Sequence, residues 1–66
     1  MDEIQENQRA IQVLQSRRAY IETKMAERAT AGRSSYSMDA ERTAIDFAVS
    51  ALHFVIATLK YEATKI

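Results

Sequence analysis

Sixty-six residues with no cysteine, no proline and one glycine leave few architectures open to this chain. A domain of this size buries only about 60% of the surface that its unfolded form exposes, so it needs additional stabilisation. The absence of cysteine rules out a disulfide, and the absence of thiols together with a single histidine argues against a structural zinc site. Nine basic and nine acidic residues give zero net charge, which argues against binding to nucleic acid by bulk electrostatics.

The composition favours helix throughout, because nothing interrupts the backbone hydrogen-bond ladder. We expect one all-α domain over residues 1–66, an antiparallel helical hairpin that gains stability by assembling into a homo-oligomeric helical bundle.

The first predicted element is a helix over about residues 2–31. Asp2 and Glu3 lie in its first turn and Arg28 in its last, and each charge suits the helix dipole. Gly32 tolerates the left-handed conformation in which helices often end. Apolar residues recur at spacings of three, four and seven, which predicts one buried face. These residues are Ile4, Ile11, Leu14, Ile21 and Met25.

A loop is predicted over about residues 32–37, where periodicity is lost and serines compete for helical hydrogen bonds. Ser37 or Asp39 is expected to cap the next helix. Arg33, Ser34, Ser35 and Tyr36 offer a charge, hydroxyls and N–H groups near a helix N-terminus, where anions bind readily. A solvated loop is the simpler interpretation of the same residues.

The second predicted helix, over about residues 38–65, is apolar around two-thirds of its circumference. One antiparallel partner covers roughly a third, so the remaining apolar surface predicts self-association, from a dimer to a hexamer. The polar strip comprises Asp39, Arg42, Asp46, Ser50, His53, Lys60 and Thr64. The side expected to meet the first helix comprises Ile45, Val49, Leu52, Ile56 and Leu59, and the surplus includes Phe47, Ala51, Phe54 and Val55.

A membrane span is the other interpretation of the apolar run over residues 44–59. It contains Asp46, Ser50 and His53, and it is shorter than the roughly 20 apolar residues that a bilayer requires. The acidic N-terminus also lacks the features of a signal peptide. We therefore expect a buried helix, no membrane partner and a cytoplasmic protein.

No enzyme is indicated by the residues that could carry chemistry. Asp46, Ser50 and His53 share a helix face, but groups at these spacings on one helix rarely converge on one reacting atom. We expect no catalytic residue, no metal site and no cofactor.

Arg18 is the unusual residue of the first helix, because it lies within the apolar stripe. A buried guanidinium is costly without a partner. Three interpretations stay open: an ion pair with a carboxylate such as Asp46, a side chain that extends to solvent, or contact with a ligand anion.

Tyr20 lies on another face of the first helix with Val13, beside Arg17 and Lys24. A tyrosine between cations can stack on a base while the cations hold phosphates. Equally, Val13 and Tyr20 can form a second apolar contact between protomers. Residues 17–33 hold five basic residues against two acidic ones.

Residues 41–54 read Glu-Arg-Thr-Ala-Ile-Asp-Phe-Ala-Val-Ser-Ala-Leu-His-Phe. This segment resembles the second helix of small phage helical-hairpin proteins that include anti-CBASS cyclic-nucleotide sponges. In that group an Arg/Glu-rich start precedes an Ala-Ile pair, followed by an alanine, an aliphatic and an aromatic residue. Ala44-Ile45, Ala51, Leu52 and Phe54 occupy those positions here.

The resemblance implies a multimer, often a hexamer, that sequesters cyclic di- or trinucleotides between protomers without breaking a bond, in the host cytoplasm if phage-encoded. Only Arg42 of the candidate ligand residues lies in the matched segment, and the others are chosen on their chemistry. The candidates are Arg17, Arg18 and Lys24 for phosphates, Tyr20 for stacking, and Arg33 or Arg42 from a neighbouring chain. The alternative is a protein-interaction module or a Rop-like RNA-binding dimer.

Overall fold

The computed structural model describes residues 2–65 as two helices packed against each other, α1 over Glu3–Thr30 and α2 over Tyr36–Thr64. The predicted all-α hairpin is confirmed. The molecule is a rod with principal extents of 57 × 18 × 12 Å, because two helices of this length pack along one seam.

The seam between α1 and α2 is made by the apolar stripes that the periodicity predicts. Four isoleucines form its buried centre: Ile11 and Ile21 from α1, Ile45 and Ile56 from α2. Leucines and other apolar residues beside them are half-buried, because a two-helix layer has no third element to cover its edges. The core is therefore a single line of contacts.

The end of α1 is closed by Gly32, as predicted. Gly32 has a φ of 72°, and its N–H donates to the Ala29 carbonyl while the Arg33 N–H donates to the Arg28 carbonyl. These two bonds form a Schellman motif. Arg28 Nε also donates to the Ser34 carbonyl at 2.8 Å, which holds the loop against the helix end.

The start of α2 differs from the prediction. The helix begins at Tyr36, two residues before the predicted start, so Ser37 and Asp39 lie inside its first turn and neither is the N-cap. The N-cap residue is Ser35, whose carbonyl accepts the Asp39 N–H at 2.8 Å. Because the Schellman motif reverses the chain within a few residues, Tyr36 and Ser37 already belong to the helix.

The side of α2 opposite the seam carries a second apolar surface, which we call the outer stripe. Its six residues are all exposed and follow one another at spacings of three and four, so they lie within about 100° of one helix face. Phe47 and Phe54 are 74% and 73% exposed. The outer stripe consists of Ala44, Phe47, Ala51, Phe54, Thr58 and Tyr61.

Among the described residues, α2 is also the one helix that is long and apolar enough to cross a membrane by length and composition. The same composition is found in helices that bury two faces inside an assembly. Most of this apolar segment is exposed in the single hairpin. The seam with α1 therefore covers only a small part of this apolar surface.

We expect Ile21→Ala to lower the free energy of unfolding by about 2–4 kcal/mol, because it opens a cavity in the most deeply buried part of the seam. Ile21→Val should cost only about 0.5–1.5 kcal/mol. Urea titration followed by circular dichroism, at one fixed protein concentration, measures both. A loss below about 1 kcal/mol for Ile21→Ala would contradict a core centred on this seam.

Candidate electrostatic site between the helices

Ion pairs cross from α1 to α2 near the middle of the hairpin. Arg17 Nε lies 2.9 Å from Glu41 Oε1, and a second, longer bond of 3.4 Å joins Arg17 Nη2 to Glu41 Oε2. Arg18 Nε lies 2.7 Å from Asp46 Oδ1. Both contacts link residues far apart in sequence, so they fix how far α1 slides along α2.

Arg18 is held by carboxylates on both helices. Its Nη1 donates to Glu22 on α1, while its Nε donates to Asp46 on α2. The hydrogen bond to Asp46 raises the pKa of the Arg18 guanidinium above its ordinary value and outweighs the opposing effect of desolvation. Of the predicted alternatives, the structure forms the ion pair with Asp46, and the guanidinium stays charged at the edge of the seam.

Arg17 is stabilised in the same way by its neighbour on α2. Its hydrogen bond to Glu41 raises the pKa of the Arg17 guanidinium, and the attraction between the two charges acts in the same direction. Deprotonation of Arg17 or Arg18 would break these bonds, but it lies above any pH at which the protein is handled. Both links therefore persist at neutral and alkaline pH.

Arg42 extends this network along α2. Its Nη2 lies 2.6 Å from Asp39 Oδ1, and its Nη1 lies 3.9 Å from Glu22 Oε1. Glu22 thus approaches both Arg18 and Arg42. Asp46 was a possible partner of Arg18 from the sequence, but Glu22 and Asp39 were not predicted as partners, although spacings of three and four residues between Asp39 and Arg42 and between Arg18 and Glu22 were available as a signal.

Tyr20 lies beside this network on the outer side of α1. Its ring is half-exposed, and two cations approach it: Arg17 Cζ at 5.1 Å and Lys24 Nζ at 5.6 Å from the ring centroid. Lys24 also pairs with Glu27 at 3.3 Å. The structure therefore brings together the predicted tyrosine and two predicted cations.

Arg33 is separate from the other candidate residues. It lies in the loop at the hairpin tip, whereas Arg18 is near the middle of α1, about 20 Å away along the helix axis. Arg33 could therefore join the others only from a neighbouring chain, which is the role predicted for it from the sequence.

An open hollow of about 440 Å³ lies between the helices, lined by Arg18, Glu22, Asp46 and uncharged residues around them. Two carboxylates and one guanidinium face it, so its charge is unfavourable for an anion. A second hollow of about 600 Å³ lies on α1 and is mainly apolar, lined by Ala10, Val13 and Leu14 with Glu6 and Arg9 beside them. Its apolar lining suits contact with another helix better than contact with a phosphate.

Asp46, Ser50 and His53 do not form a hydrogen-bonded set in the part of the chain that the structure describes. Asp46 instead accepts hydrogen bonds from Arg18. Within residues 2–65, no group of three or more histidine, cysteine, aspartate or glutamate side chains is arranged to hold a metal ion.

No family model, curated protein or solved structure matches the chain. The resemblance of residues 41–54 to phage helical-hairpin proteins stays a prediction.

We expect Arg18→Gln to lower the urea midpoint at low salt by less than Ile21→Ala does, because the ion pairs are partly exposed. The difference from wild type should shrink in about 1 M salt, where the Debye length falls to about 3 Å. Lys60→Gln is the matched control, since Lys60 makes no ion pair with a described residue. An equal midpoint at low salt would show that these pairs do not hold the helices.

Proposed function

We propose that this chain is a non-enzymatic binding protein that works as a homo-oligomer, in which hairpins pack through the outer stripe of α2. The observation that carries the proposal is the exposure of Phe47 and Phe54, nearly three-quarters each, on one face of a regular helix. Burial of such a side chain is worth about 1.5–3 kcal/mol. Monomeric proteins rarely leave a continuous apolar face of this kind in water.

The total exposed area of the hairpin supports the same proposal. The chain exposes 5123 Å², whereas a compact monomer of 7.5 kDa exposes about 4200 Å². The excess follows from the rod shape and the single seam. Side-by-side association of hairpins would remove this excess area from water.

The finer proposal is that protomer boundaries hold a small anionic ligand, of the cyclic di- or trinucleotide class that the resemblance implies. Tyr20 supplies an exposed ring for stacking. Arg17 uses only Nε and Nη2 on Glu41, and Lys24 makes one ion pair, so both keep N–H groups for phosphate oxygens.

Charge requires that such a site draw on more than one hairpin. In the network around Tyr20 and Arg18, each basic side chain already faces at least one carboxylate, so one hairpin provides no net positive charge there. The basic members are Arg17, Arg18, Lys24 and Arg42, and the acidic members are Glu22, Glu27, Asp39, Glu41 and Asp46. A neighbour's Arg33, which makes no ion pair with a described residue, is a suitable additional cation.

A protein-interaction module is the second candidate, because the outer stripe also suits a helix of a different protein. The Rop-like RNA-binding alternative has less support, since RNA binding needs a basic face, whereas the chain has zero net charge and the four basic residues around Tyr20 and Arg18 are paired with carboxylates. Native mass spectrometry of the purified protein separates these proposals, because it reports both the subunit number and any retained small molecule.

We expect Phe54→Glu to weaken self-association roughly tenfold or more, because it places an unpaired charge in the apolar contact. His53→Glu is the matched control: it adds the same charge to the adjacent position, on the polar strip of α2. Sedimentation velocity over a concentration series measures both, with circular dichroism as a check on helix content. A wild-type protein that sediments as a monomer would contradict the proposal, as would equal weakening by both variants.

We expect isothermal titration with a panel of cyclic di- and trinucleotides to give binding that Tyr20→Ala weakens roughly tenfold, through loss of about 1–3 kcal/mol of stacking. Lys60→Gln, at the far end of the rod, should bind as wild type does. The absence of heat for every ligand at high micromolar concentration would reject the ligand proposal and leave self-association standing.

A further inference from the structure

We propose that the outer stripe of α2 packs against the outer stripe of a second copy of this chain, with the two α2 helices antiparallel. The twofold axis passes midway between Ala51 and Phe54. This inference rests on the proposed self-association and specifies its face, its orientation and its register.

The order of large and small residues along the outer stripe determines the orientation. Aromatic residues alternate with alanine or threonine at heptad spacing, so one class occupies every d-type position and the other every a-type position. In a parallel pair, residues of the same class face each other, so layers of two small residues would alternate with layers of two aromatic rings. In an antiparallel pair, a-type positions face d-type positions, so each layer combines one small and one large side chain.

Antiparallel registers that differ by a heptad all give this combination, but only one of them pairs all six residues of the outer stripe. Across the interface, Ala44 faces Tyr61, Phe47 faces Thr58 and Ala51 faces Phe54, and the twofold axis repeats each pair. Small residues opposite aromatic ones allow the helices to approach closely without voids. The Thr58 hydroxyl already donates to the Phe54 carbonyl at 3.0 Å, so burial of Thr58 leaves no donor unsatisfied.

The ends of the stripe add electrostatic complementarity. In this register Lys65 of the second copy lies across from Ala40, next to Glu41. Glu62 of the second copy also approaches Glu41, and its repulsion is offset by Lys65 and by Arg17, which already holds Glu41 at 2.9 Å. Antiparallel packing further places the positive end of each helix dipole beside the negative end of the other.

The area available to a pair comes close to the size at which specific interfaces begin. The two phenylalanines and Tyr61 are 74%, 73% and 65% exposed. Aromatic side chains bury about 150–250 Å² each, so the aromatic residues of two copies alone account for on the order of 800 Å². Alanine, threonine and Val55 beside them bring the interface toward the roughly 1,200 Å² at which specific interfaces begin.

Disulfide trapping tests the orientation, and the chain has no native cysteine to interfere. Ala44→Cys and Tyr61→Cys are purified separately and oxidised alone and as an equimolar mixture. Facing positions of helices packed about 8–10 Å apart lie within reach of a disulfide. We expect a crosslinked dimer between the two variants in the mixture and little in either variant alone. Lys60→Cys is the control, because Lys60 lies next to Tyr61 at the same end of α2 but outside the outer stripe. Mixed with Ala44→Cys, it should give no crosslinked dimer.

Each other outcome overturns the inference in a distinguishable way. Crosslinks in the separate variants would show a parallel pair and leave self-association intact. No crosslink in a protein that sediments as an oligomer would show that another face, such as that of Val13 and Tyr20, makes the contact. No crosslink in a monomer would reject both the inference and the proposed self-association.

A lipid surface is the remaining occupant to test. Phosphatidylcholine vesicles are sedimented with the wild-type protein and with Phe54→Glu. We expect both proteins to stay in the supernatant. Co-sedimentation of the wild type that Phe54→Glu abolishes would show that the outer stripe is covered by lipid and not by a second copy.

Discussion

A hairpin of two helices has one seam, and this chain has more apolar surface than one seam can bury. α1 is amphipathic, and its apolar side packs against Ile45 and Ile56 of α2. α2 is apolar on that side and on the opposite side, where Phe47 and Phe54 face solvent. No rotation of α1 about its own axis covers both apolar faces of α2, so the hairpin buries only one of them.

The same seam determines how the charges are used. The basic middle of α1 lies against the acidic start of α2, so that Arg17 meets Glu41 and Arg18 meets Asp46. A segment that appears cationic in sequence is therefore largely neutral in the folded hairpin. These charge pairs fit one register of the hairpin, and an anion would have to compete with carboxylates that are already in place.

The sequence predicted the features that depend on local chemistry. The stripe of α1 follows from helical periodicity, and the end of α1 follows from the left-handed conformation of Gly32. For Arg18, the ion pair with Asp46 was one of three interpretations that the sequence left open, and the structure forms it. The Arg17–Glu41 pair was not predicted, because it depends on how far one helix slides along the other. A shift of one turn would leave both stripes in contact and change every charged pair between the helices.

The two proposed contacts, through the outer stripe and through Tyr20, lie on opposite sides of the hairpin. An antiparallel pair through the outer stripe orders the helices as α1, α2, α2, α1, and with about 8–10 Å between neighbouring axes the two α1 helices are roughly 25–30 Å apart. A small ligand at Tyr20 therefore does not span this pair. It would need a second contact, through the face of Val13 and Tyr20, and an assembly that uses both contacts contains more than two chains. Loss of pairing through α2 and loss of ligand at Tyr20 are consequently separate events.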